Sequence, residues 1–226
     1  MKMIERKLSA IDIPNYTLGQ EIFNGISHFL GIPLGLIVIS LSFDLKFLIG
    51  IDTISFIGLL IYGLSLVALY LVSGLYHIET PTKEKSKKVK RVLDHCTIYF
   101  LIAGTYTPIC LFINQTNQIG LIVLILEWIM AVIGALLNLI DFNNKVVKGI
   151  SMFLYLGLGW LVLFSGAFTY LPISPFAFIL TGGIFYTIGS ITYGIGHKNL
   201  NIHSIFHVFV LLGSLFQCIG VLMLFF

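Results

Sequence analysis

Seven stretches of this chain, each about 20 residues long, run almost free of charge between short polar breaks. They lie near Glu21–Phe43, Thr53–His77, Val92–Ile113, Ile119–Ile140, Val147–Leu171, Pro175–Gly196 and Ile202–Phe226. A hydrocarbon core of about 30 Å takes roughly 20 residues of helix, so runs of this length read as membrane spans. In lipid every backbone N–H and C=O must be paired within the protein, which leaves helices or a closed barrel. A barrel would show alternating segments of about ten residues, and these runs do not alternate. The pattern therefore predicts an all-α integral membrane protein: a short arm over residues 1–20, then a seven-transmembrane helix bundle over 21–226. The breaks Asn114–Asn117, Asp141–Asn144 and Pro172–Pro175 are turn chemistry with no room for a folded loop.

Charge gives the bundle a direction. Every basic residue except Lys46 falls on one side of this topology: Lys2, Arg6 and Lys7 in the arm, Lys83–Arg91 in the second connection, Lys145 and Lys148 in the fourth, Lys198 in the sixth. Basic residues near span ends stay inside, so the N-terminus is expected in the cytoplasm and the C-terminus outside. Beside two spans, Lys83, Lys85, Lys87, Lys88, Lys90 and Arg91 are expected to meet anionic lipid headgroups, not nucleic acid. Composition agrees with a multi-pass protein of the cell membrane: 58% hydrophobic, 10% charged, mean hydropathy +1.00. Soluble domains carry about 25% charged residues. Cys96, Cys110 and Cys218 are scattered and read as packing residues, not as a disulfide framework. The first apolar run lacks a small-residue cleavage site and is expected to be retained as a span.

The candidate chemistry comes from polar residues that hydrocarbon tolerates poorly. His203 and His207 are four apart, so on a helix both rings share one face. The topology brings His77, at the end of the second span, to the same depth. Asp94 and His95, at the start of the third span, lie there too. Three imidazoles with a free coordination position are the ligand set of a catalytic zinc ion, Zn²⁺. Ser73, one turn before His77, and Asp94 are candidates for orienting the ligands, and Asp94 also for accepting a proton from metal-bound water. The plainer alternatives are that Asp94 pairs with Arg91 and that Ser73 is a small packing residue. Glu21, Asn24 and His28 share one face of the first span and are expected to support the site rather than ligate. His95 points about 100° away from Asp94. Glu127, inside the fourth span, is expected to face the bundle.

The combination Glu21-x-x-Asn24-x-x-x-His28, Ser73-x-x-x-His77, Arg91-x-Leu-Asp94-His95, Gly104-Thr-Tyr-Thr-Pro108 and His203-x-x-x-His207, running on to Gly213-Ser214, resembles the hemolysin III proteins. These are the bacterial branch of the progestin and adiponectin receptor family, and the likeness covers nearly the whole chain. It implies a seven-helix bundle with zinc held by His77, His203 and His207, with Ser73 and Asp94 beside it. It also implies kinship with the alkaline ceramidases, zinc-dependent hydrolases of lipid amides, and a role in membrane-lipid homeostasis. The chain departs from the pattern at Gln217, near which many relatives carry a histidine. Three readings follow: a zinc-dependent hydrolase of lipid amides or esters with membrane lipids as substrate, a receptor-like regulator with structural zinc, and a pore-forming hemolysin. The third is disfavoured because no amphipathic segment waits to insert.

Overall fold

The computed structural model describes residues 8–196 and 200–226. Lys2, Arg6, Lys7, His197 and Lys198 lie outside the described residues. The described secondary structure is all helical. Helix α1 (Leu18–Phe29) begins at a capping box, where Gln20 N–H donates to Thr17 Oγ1 and Thr17 N–H donates to Gln20 Oε1. After a break at Leu30–Gly31, α2 (Ile32–Asp44) starts with Pro33 in its first turn, where a missing N–H costs nothing. A π-helical turn, Leu45–Ile49, ends at Gly50, whose φ of 85° suits a residue without Cβ. Helix α3 (Thr53–Ile78) is capped by Asp52, which accepts from the N–H groups of Ile54 and Ser55 at 2.9 and 3.0 Å.

Helix α4 (Glu84–Asn114) starts two turns earlier than the apolar pattern suggested, because the lysine-rich connection is itself helical. It continues through Pro108, with Thr105 and Thr107 donating to the carbonyls of Leu101 and Ala103. Helices α5 (Ile119–Asp141), α6 (Lys145–Gly159), α7 (Ile173–Gly196) and α8 (Leu200–Leu222) complete the chain. Among the described residues six helical stretches are long and apolar enough to cross a membrane, the first running from Leu18 to Ile49.

The expected fifth span has no helix long enough to cross a membrane among the described residues. It divides into α6, a helical turn at Leu161–Phe164 and a 3₁₀ turn at Ala167–Tyr170. Trp160 leaves helical geometry (φ −113°, ψ 4°), and Gly166 turns left-handed (φ 75°). The carbonyl of Gly159, which the break frees, accepts from the Tyr106 hydroxyl.

The core is aromatic and cross-tied. Tyr62, Tyr70 and Tyr99 are fully buried. The Ser214 hydroxyl of α8 meets Tyr70 of α3 and Tyr186 of α7, each at 2.6 Å, so one small side chain joins three helices. Helices α2 and α3 approach closely at Gly35 and Gly63, where a Cβ on Gly35 would stand 2.6 Å from the Gly63 carbonyl oxygen. Large apolar side chains such as Phe47, Leu48, Ile54 and Phe153 face outward, as a lipid-exposed surface requires.

Candidate metal centre

Helix register builds the centre. His77 sits in the last turn of α3, and His203 and His207 sit one turn apart near the start of α8. Each of the three offers a ring nitrogen, and those atoms lie within 4.8 Å of one another. The Nε2 atoms of His203 and His207 are 3.0 Å apart. His77 and His207 are both 2% exposed, so their rings are out of reach of bulk water.

A buried imidazole needs partners on both nitrogens, and the partners are unequally supplied. His77 Nδ1 meets Glu21 Oε2 at 2.7 Å. The other oxygen of Glu21 accepts from Lys87 Nζ at 2.5 Å, and Lys87 also donates to the Glu79 carbonyl at 3.1 Å. A carboxylate on the far nitrogen of a histidine fixes its tautomer and aims the near nitrogen, as in carboxylate–histidine–metal triads. That near nitrogen, His77 Nε2, is buried without a hydrogen-bond partner.

The residues fit a metal ion. A tetrahedral ion bonded at about 2.0–2.1 Å needs nitrogens about 3.3 Å apart. The His203–His207 pair stands near that spacing, and the widest pair has to close by no more than about 1.5 Å. His77 contributes one of these nitrogens, and its Nε2 is left without a hydrogen-bond partner. Three histidines could therefore hold a metal ion here, with Glu21 as the oriented support.

The remaining predicted residues fall around this group in distinct ways. Ser73 is buried and its side chain is hydrogen-bonded to Asp94. Both line a cavity of about 210 Å³ that His203 and His207 also border. Arg91 lines that cavity too, without an ion pair to Asp94 among the described residues. His95 turns to a different wall, edge-on to Phe142 at 4.8 Å. His28, expected to support the site and not to ligate, has its ring centroid 4.0 Å from that of His207. Both its nitrogens, and both side-chain polar atoms of Asn24, are buried without hydrogen-bond partners. Of the basic run, Lys87, Lys88 and Lys90 are taken up by Glu21, Glu84 and Glu79, while Lys83 and Lys85 stay exposed.

Tyr16 escaped the sequence reading. Its ring lies 5.7 Å from that of His77 and 5.3 Å from that of His203, so the N-terminal arm closes over the centre. The arm is held there by Lys88 donating to the Ser9 carbonyl, by Asn143 donating to the Ala10 carbonyl and by buried Ile11. A signal existed in the capping box at Thr17–Gln20, which sets the helix start before Glu21 and fixes where Tyr16 enters. The burial behind Tyr16 pushes its hydroxyl pKa well up, and the ring stays neutral.

Residues 16–218 match the family described as haemolysin-III related. Over 217 residues the chain is 35% identical to the hemolysin-3 homolog of Bacillus subtilis (strain 168), covering 91% of this chain and 98% of that protein. Hemolysin-3 of Bacillus cereus is 35% identical over 207 residues, 88% of this chain and 90% of its own. The human monocyte to macrophage differentiation factor is 28% identical over 156 residues, 66% of this chain and 63% of that protein. The chain belongs to the haemolysin-III-related family and is a multi-pass protein of the cell membrane.

Proposed function

We propose that this haemolysin-III-related protein is a zinc-dependent hydrolase of lipid amide or ester bonds. The observation that carries the reading is the histidine group, two of its three rings buried and one of them aimed by Glu21, bordering a cavity whose wall is largely apolar. His77, His203 and His207 would hold the ion. When bound, zinc supplies an acidified water and a polarised carbonyl. Asp94 would accept the proton of that water, held in place by its hydrogen bond with Ser73. An acyl chain would lie along Leu101, Ile102, Leu156 and Val210, with its polar linkage at the histidines.

The topology proposed with it is seven crossings, N-terminus cytoplasmic and C-terminus outside, with the broken segment after Asp141 as the fifth. Contacts at its two ends support this. Lys148 shares the Phe142 ring with Arg91, whereas Tyr170 accepts from Asn117 at 2.7 Å, at the far end of α4. Contacts with opposite ends of α4 are what a segment crossing the bundle would make.

The test is release of fatty acid from N-acyl and ester lipids by purified protein, read by mass spectrometry. His207→Ala is expected to lose zinc and turnover together. Asp94→Asn is expected to keep zinc and lose about 10²–10⁴-fold in rate. Full turnover by metal-free His207→Ala overturns the reading. One observation favours a regulatory protein with structural zinc instead: Tyr16 packs against two of the three rings. That alternative predicts bound zinc, a large fall in thermal midpoint on chelation and no lipid product.

A further inference from the structure

Arg91 is the one member of the basic run that lines the cavity, and its neighbourhood is arranged for an anion. The guanidinium lies 5.4 Å from the centre of the Phe142 ring, and the ammonium of Lys148 lies 5.9 Å from the same centre. Phe142 is buried, and all three residues border the cavity. Arg91 Nη1 is buried without a hydrogen-bond partner. Each of Lys87, Lys88 and Lys90 finds a carboxylate, yet neither Arg91 nor Lys148 forms an ion pair among the described residues. The acids nearest in electrostatic terms are Asp94, hydrogen-bonded with Ser73, and the exposed Asp12. Two cations on one aromatic ring repel each other unless a shared anion neutralises them, and an unpartnered buried guanidinium N–H demands an acceptor.

We propose that Arg91 and Lys148 form a headgroup subsite for a single-chain anionic amphiphile, its carboxylate or phosphate between the two cations and its tail in the apolar cavity. The guanidinium fork supplies paired donors for either oxyanion, and Lys148 adds a point charge at the mouth. The wall beside them is polar and already ordered: Ser151 donates to Asn138 at 2.9 Å, Asn138 to Tyr155 at 3.2 Å, and Tyr155 to the His95 carbonyl at 2.9 Å. Apolar side chains, Ile98, Met152 and Trp160 among them, line the same cavity. The subsite rests on the lipid-accepting cavity of the hydrolase reading and requires neither zinc nor turnover.

Trp160 lines the cavity and Trp128 does not, and the chain has 2 tryptophans, so quenching in a Trp128→Phe background reports entry of a chain. The full protein in neutral detergent is titrated with a fatty acid brominated at mid-chain, with the matching uncharged alcohol, and with a lysophosphatidate carrying the same chain. The acid and the phosphate are expected to quench Trp160 at concentrations at least about tenfold below the alcohol. Whichever of the two binds tighter identifies the head. Arg91→Gln with Lys148→Gln should weaken the anions roughly 10–100-fold and leave the alcohol within about twofold, which also shows that the variant is folded. Native affinity of the acid in His207→Ala assigns the anion to the cation pair and not to the metal centre. Equal binding of acid and alcohol, equal loss of both in the double variant, or loss of the acid alone in His207→Ala each overturns the proposal.

Discussion

His77 and Glu127 are both titratable groups buried inside apolar helices, 2% and 0% exposed, and they could hardly be supplied more differently. His77 has Glu21 on one nitrogen, Lys87 behind that carboxylate, and two further imidazoles in front. Both oxygens of Glu127 are buried without a hydrogen-bond partner. Intramembrane polarity is therefore a weak marker of a site taken one residue at a time. What distinguishes the histidine end of the bundle is convergence: α1, α3, α4 and α8 each bring a polar side chain to it, and the groups on the first three answer one another. Glu127 on α5 has no hydrogen-bond partner among the described residues, and on our account it does not contribute to metal binding.

Removing a ligand should produce the largest effect. His77→Ala is expected to abolish stoichiometric zinc, measured by elemental analysis of protein purified without added metal. Glu21→Gln keeps the shape and removes the charge behind His77. Zinc affinity should fall about 10–100-fold in a chelator competition, and an unchanged affinity would show that the carboxylate does not orient the ring. Glu127→Leu is the sharpest control from the other region. Replacing an unpartnered buried acid by an apolar side chain should leave zinc and turnover unchanged and raise stability by about 1–3 kcal/mol. Loss of zinc or turnover in that variant would break the comparison.

The smallest effect concerns Glu79, at the rim of the histidine end. Hydrogen bonds from Lys90 and Ser86, with the charge of Lys90, hold its pKa down to about 2. A carboxylate depressed in the folded state stabilises above its unfolded pKa of about 4.3. That contribution fades as pH falls toward 2. Glu79→Gln should lower the thermal midpoint slightly at neutral pH, and the difference should close below about pH 2.

The site was more legible than the fold around it. Spacing alone put His203 and His207 on one face, and the alternating direction of the spans brought His77 to their depth. Glu21, Asn24 and His28 share one face of α1, which marks them as support for the site, and the structure seats Glu21 on His77. The ring of His28 comes within 4.0 Å of that of His207, an approach hydropathy does not measure, since it does not say which side of a helix faces a neighbour. Apolar content could not reveal the break at Trp160, because a helix interrupted by irregular backbone is as hydrophobic as a continuous one. Nor could it find Tyr16, whose place follows from tertiary ties of the arm at Ser9 and Ala10. The start of α4 at Glu84 was hidden by its lysines, which look like a loop to a hydropathy reading and are helix formers in water.

Zinc-edge X-ray absorption on the purified native protein tests the histidine centre most directly. Three imidazole nitrogens at about 2.0–2.1 Å with one oxygen neighbour is the expected first coordination sphere, and it should disappear in His207→Ala. A spectrum dominated by thiolate or carboxylate ligands, or protein that retains its zinc without His207, would contradict the account.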